Sequence, residues 1–128
     1  VTLAPVLAHA TAVVHAAAVT GVADDTDLLI TTHRDDAVVT VAVVGEVDIS
    51  NATQLSAAGL SALESGADEL VVDLTAVTFM DSTGLGHLVR VLRAARPTPV
   101  QLLVTHPHVL RLFEVTGLTG AFRVTHLP

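Results

Sequence analysis

Apolar and polar positions along this chain follow two rhythms. In residues 5 to 20, PVLAHATAVVHAAAVT, the residues Val6, Leu7, Ala10, Val13, Val14 and Ala17 recur at helical spacing, with Pro5 suited to a first turn and Gly21 to a stop. The opposite face is Ala, Thr and His rather than Lys or Glu, so the expected helix is dressed for docking, on the domain or on a second copy. After the acidic loop Asp24 to Asp27 the rhythm changes. LLITTHR and AVVTVAVVGEVD are rich in branched residues and are separated by Asp35 and Asp36, which predicts a hairpin.

Helical spacing returns in SNATQLSAAGLSALESG, with Ser50 or Asn51 as cap, Ala52, Leu55, Ala62 and Leu63 on the apolar face, Gly66 as stop and Gly59 as a weakening residue. ELVVDL is a short continuous apolar run, the pattern of a strand buried on both faces. Leu85, Leu88, Val89, Leu92 and Ala95 mark the next helix, closed by Pro97, and VQLLV is a further buried strand. Pro107 opens a helix carrying Val109, Leu110 and Phe113 that Gly117 ends, before a last strand around Phe122 to Val124. Strands alternating with helices after a hairpin predict an α/β fold: a mixed β-sheet, parallel at the crossovers, with helices packed against it and an extra N-terminal helix. Residues 1–27 then form helix and acidic loop, and 28–128 the domain proper.

Composition narrows the function classes. The 128 residues suffice for one domain with a real core, and the absence of cysteine excludes a disulfide framework and thiolate metal sites. With 13 acids, six basic residues that are all arginine, and a formal charge of -7, the chain has the wrong sign for phosphate-based nucleic-acid binding. Three Phe without Trp or Tyr leave little for bases to stack on. The charge is uneven: residues 1–80 hold eleven acids and Arg34, residues 81–128 two acids and five arginines. There is no basic leader and no uncharged stretch of about 20 strongly apolar residues, so the expectation is a cytoplasmic protein that engages no membrane.

The stretch with chemistry in it is FMDSTGLG, Phe79 to Gly86. Ser82 and Thr83 lie where strand hands over to helix, so one of them is expected to cap that helix through its hydroxyl. Two glycines remain, and glycine inside a first turn costs about 1 kcal/mol against alanine, which points to something approaching that backbone. An aspartic protease motif would place glycine directly after the hydroxyl residue, a dinucleotide fingerprint needs glycine where Val89 stands, and a P-loop needs lysine, which the chain lacks. A hydrolase elbow would flank Ser82 with glycines instead of Asp81 and Thr83. What is left is a hydroxyl that is itself a substrate. A phosphate on Ser82 would add about -1.5 to -2 charges at a helix N-terminus, which tolerates an anion, and would confront any docked partner with new charge and bulk.

LVVDLTAVTFMDSTGLGHLVRVLRAAR resembles the central segment of the STAS domain of anti-sigma factor antagonists. VVGEVDISNATQL resembles the same family's Gly-Glu-Val-Asp turn, and PHVLRLFEVTGLTGAFRV its third helix and last strand, so the likeness spans roughly residues 28 to 126. The resemblance implies a non-catalytic protein, without cofactor or metal, that binds an anti-sigma factor while unphosphorylated and thereby releases a sigma factor. It implies a phosphate acceptor at Ser82, with Thr83 second, an anti-sigma factor that is also the serine kinase, and a serine phosphatase that resets the switch. Asp48, Asp81, Thr83, Gly84 and Gly86 are the expected partner-binding residues, and a homodimer is left open. Asp48 has a plain alternative as a turn residue or helix cap. The family pattern continues with one more helix where this sequence stops at Pro128, and this sequence adds the N-terminal one. A constitutive scaffold in a larger signalling or transport assembly, with Ser82 merely a cap, and a nucleotide-binding module are the competing classes. His9, His15, His106 and His108 complete no metal spacing and read as surface residues, and Arg90, Arg93 and Arg96 as a solvated face. Asn51 heads a glycosylation sequon that reads as a helix start.

Overall fold

Branched residues in continuous runs set the sheet, and the polar breaks between them set the crossovers. The computed structural model describes residues 28–121 and 123–127, so the helix expected over residues 5 to 20 lies outside the described residues. Strands β1 (Leu29–Asp35) and β2 (Val38–Val47) pair antiparallel around a tight turn in which Asp36 takes the left-handed conformation at φ 59°, one that Asp tolerates. The chain then runs through α1 (Ala52–Glu64), β3 (Glu69–Met80), α2 (Ser82–Ala95), β4 (Val100–Val104), α3 (Pro107–Val115), a short α4 (Leu118–Ala121) and β5 (Arg123–His126). The five strands lie in sequence order, and every pairing after the hairpin is parallel.

Right-handed crossovers that always step the same way leave their helices on one face of a sheet. The packing agrees: Leu55 of α1, Leu88, Val91 and Leu92 of α2, and Val109 and Phe113 of α3 share one core with Val39, Val41, Val43, Leu70, Val72, Leu74, Leu102 and Val104. Alternation sends the intervening strand residues, Thr40, Ala42, Val71, Asp73, Gln101 and Leu103, to the other face. Gly59, which looked like a flaw in α1, is a packing device. A Cβ there would stand 2.7 Å from Val91 Cγ1, so only glycine lets α1 lie this close to α2.

Three boundaries differ from the sequence reading. Strand β3 does not end at Leu74 but continues to Met80, because β2 remains its partner through two register shifts. At the first, Asp73 Oδ1 accepts hydrogen bonds from the Thr75 amide (2.9 Å) and hydroxyl (2.6 Å), a local turn that absorbs an extra residue without ending the strand. Helix α4 was not anticipated, and β5 begins at Arg123. Among the described residues no helix is long and apolar enough to cross a membrane.

Candidate functional site

Parallel strands end on the same edge of a sheet, so the segments following β2, β3 and β4 meet there. The β3–α2 junction is the most constrained of the three. Asp81 is extended (φ -98°, ψ -176°), its amide donates to Val47 O (3.2 Å), its carbonyl accepts from Leu85 N (3.0 Å), and its Oδ1 accepts from Gly84 N (2.9 Å). The cap of α2 is therefore Asp81, not Ser82 or Thr83. A carboxylate does this better than a hydroxyl, because it also complements the positive end of the helix. Ser82 becomes the first helical residue, exposed, with no hydrogen bond from its hydroxyl to any described residue, while Thr83 is half-buried.

The two glycines separate. Gly84 is buried, and a Cβ on it would lie 2.7 Å from Val47 Cγ1 and 3.0 Å from Met80 Cγ. What approaches its backbone is the protein's own core. Gly84 thus leaves the set of residues that a partner can touch. Gly86 is exposed, and nothing lies within 4 Å of where its Cβ would be.

The Asp81–Val47 hydrogen bond sets the β2–α1 loop beside this junction. There Asp48 Oδ1 accepts from the Ser50 amide (2.9 Å) and hydroxyl (2.5 Å), and its carbonyl accepts from Asn51 N and Ala52 N. Asn51 occupies the cap position of α1 without bonding the helix. Its Nδ2 donates to Glu46 O (2.8 Å) and its Oδ1 accepts from Asp48 N (3.0 Å), so the side chain is spent on pinning the loop. With its tight fold secured this way, the loop holds Ile49 out at 79% exposure.

A second apolar group stands on the same edge. Phe79, 38% exposed, stacks on His108 with ring centroids 5.2 Å apart and planes 7° apart. His106 meets the His108 ring edge-on, and its Nδ1 accepts from the His108 amide as the cap of α3. These histidines are parts of the site's rim rather than isolated surface residues. The only hint in the sequence was their position straddling Pro107 at a helix start. The same holds for His87, one helical turn past Ser82, whose Nδ1 lies 3.0 Å from the buried Ser56 Oγ across the α1–α2 contact. The three segments carry Asp48 and Asp81 and no Arg or Lys among residues 48–51, 81–86 and 105–108. Among the described residues no group of three or more His, Asp or Glu is placed to hold a metal ion.

Residues 30–126 match the family model described as Mlab, STAS domain. An anti-sigma-B factor antagonist of Staphylococcus aureus is 33% identical over 100 residues, covering 77% of this chain and 93% of that protein. One from Listeria monocytogenes is 31% identical over 97 residues, covering 74% and 85%. The crystal structure of an anti-sigma factor antagonist from Mycobacterium paratuberculosis superposes with a TM-score of 0.74 at 27% identity, over 81% of this chain and 90% of that one. The chain belongs to the STAS domain family, among the anti-sigma factor antagonists.

Proposed function

We propose that this chain is a phosphorylation-controlled binding protein whose unmodified form captures an anti-sigma factor and so frees a sigma factor. The anti-sigma factor doubles as a serine kinase for Ser82. The observation that carries this is the hydroxyl of Ser82: exposed, at the first position of α2, and relieved of capping by Asp81. Binding falls to the edge bearing Ile49, Phe79, Thr83 and Gly86, with Asp48 and Asp81 supplying negative charge. Two exposed apolar side chains ringed by polar groups are the make-up of a small protein-docking surface.

In the kinase step Ser82 Oγ attacks the γ-phosphorus of ATP held by the partner. The Oγ–P bond forms, the bond to the β–γ bridging oxygen breaks, ADP leaves, and the hydroxyl proton passes to a base on the kinase. This chain supplies only the nucleophile, as substrate, and needs no cofactor. The fold carries the product without rearrangement, because an anion at a helix N-terminus is favoured by about 0.3–1 kcal/mol. The partner does not. A dianion next to Asp81 meets whatever packs on Phe79 and Ile49, and about 1.4 kcal/mol of lost binding is already tenfold in affinity. A serine phosphatase restores the binding form. The role belongs in the cytoplasm, where sigma factors act. The reading of Ser82 as a mere helix cap loses its support, since Asp81 holds that post.

Intact mass after incubation with ATP and each candidate anti-sigma kinase tests this directly. A gain of one phosphate, absent in Ser82→Ala, is expected. Ser82→Ala should bind the unphosphorylating partner as the parent does, and Ser82→Asp at least tenfold more weakly. Equal affinity of Ser82→Asp and parent would refute the charge switch.

A further inference from the structure

The helices of the described residues all lie on one face of the sheet, yet the other face is not open. Val71, Leu103, Ala42 and Asp73 are each 0% exposed, and Thr40 and Gln101 are 3% and 8% exposed. Val71 and Leu103 form a core of their own with Val38 and Leu127, to which no helix of the described residues contributes. Strand register puts Thr31, Ala42, Asp73, Leu103 and Thr125 in one row across all five strands. Two atoms of that row, Thr31 Oγ1 and Asp73 Oδ2, are buried without a hydrogen-bond partner among the described residues. A buried carboxylate oxygen left so is costly, and it calls for a donor from above the sheet.

We propose that residues 5 to 20 of the same chain cover this face, laid across the strands as an amphipathic helix. Sixteen helical residues span about 24 Å. Five strands at about 4.8 Å spacing span about 19 Å, so one such helix reaches from β1 to β5. The segment carries no Asp, Glu, Lys or Arg, and its stripe of Val6, Leu7, Ala10, Val13, Val14 and Ala17 matches an apolar row in small and branched side chains. His9, Thr11 and Thr20 border that stripe and bring the N–H and O–H donors that the Asp73 carboxylate lacks. The acidic stretch Asp24 to Asp27 joins the segment directly to β1, an edge strand, so the covering helix is tethered to its own sheet at high effective concentration and outcompetes a second copy. The cover lies on the face opposite the helix layer that carries Ser82, so it leaves the partner edge unobstructed.

Because the chain contains no cysteine, a nitroxide on Ala12→Cys is a single label on the polar side of the segment, away from its packing stripe. The experiment reads paramagnetic broadening of amide signals in the full-length protein. Amides of β2, β3 and β4 around Ala42, Val71, Asp73 and Leu103 should lose the most intensity, and those of α1 and α2 the least. A sample mixing spin-labelled unenriched protein with isotope-enriched unlabelled protein should show no broadening. Strongest loss in the helices, no loss within residues 28–127, or broadening that appears in the mixed sample would each overturn the proposal, the last in favour of a second copy. Val14→Asp supplies a second reading: hydrogen exchange at Val71 and Leu103 should accelerate at least tenfold while that of Leu88 and Leu92 holds.

Discussion

The inner and outer sides of the first turn of α2 are built from similar residues to opposite ends. Inward, Gly84 sits against Val47 and Met80 so closely that a single added carbon would overlap them. Outward, Ser82 and Gly86 face open space and touch nothing that the fold needs. One side is fixed by packing, and the other is left for a partner. Residues adjacent in sequence thus answer to different constraints, and a substitution series along this turn separates them.

The largest effect should come from Gly84→Val. The neighbours cannot give way, since Val47 is a β-branched residue fully buried in the sheet and Met80 is 1% exposed. Overpacking of this kind costs typically about 1–3 kcal/mol, and a valine, with two further methyls, belongs at about 3. At roughly 4 °C per kcal/mol for a domain of this size, the thermal midpoint should fall by about 10 °C. Calorimetry giving a parental midpoint would mean that α2 does not rest on β2 and β3 as closely as described.

This inner constraint was not legible in the sequence, and the reason is instructive. Helices and strands were readable because their periodicity is carried by many residues at once: the stripe of Leu88, Leu92 and Ala95 and the runs Leu70 to Leu74 and Val100 to Val104 all became buried elements. Gly84 depends instead on which element lies under the helix, a fact of tertiary register that no local pattern encodes. The continuation of β3 was hidden similarly. After Asp73 the burial changes from continuous to interrupted, with Thr78 and Phe79 exposed between Val77 and Met80, so the segment reads as a loop even though β2 pairs with it. Ser82 was found as a site candidate through its company of acid, hydroxyls and glycines. The expectation that a hydroxyl caps α2 failed because Asp81, one position earlier, competes for the same amide and wins as the charged acceptor. Ile49, Phe79 and the stacked His108 went unnoticed because no sequence spacing connects them, only the shared edge of the sheet.

A middle-sized effect should follow from removing the cap. Asp81→Ala deletes the acceptor of the Gly84 amide and should destabilise by about 1 kcal/mol, whereas Asp81→Asn keeps an oxygen there and should lose less. Urea unfolding of the pair distinguishes the two cases. If Ala and Asn variants were equally stable, capping would not be what Asp81 contributes. Asp81→Ala should also leave the Val47–Asp81 backbone bond in place, so the β2–α1 loop would stay docked even as the first turn of α2 loosens.

The smallest effect on stability has the opposite sign and bears most on function. Gly86 lies within a helix, in open space, where alanine is the better residue by about 0.5–1 kcal/mol. Gly86→Ala should therefore raise the thermal midpoint by a few degrees, unlike any change at Gly84. A glycine that the fold would be better without is explained if a partner's backbone passes close above it, and then the added methyl should weaken capture of the anti-sigma factor while strengthening the domain. Midpoint and affinity measured on one preparation decide the matter. A higher midpoint with weakened binding ties the outer side of the turn to the partner, and a higher midpoint with parental binding removes Gly86 from the contact and leaves Ser82, Ile49 and Phe79 to carry it.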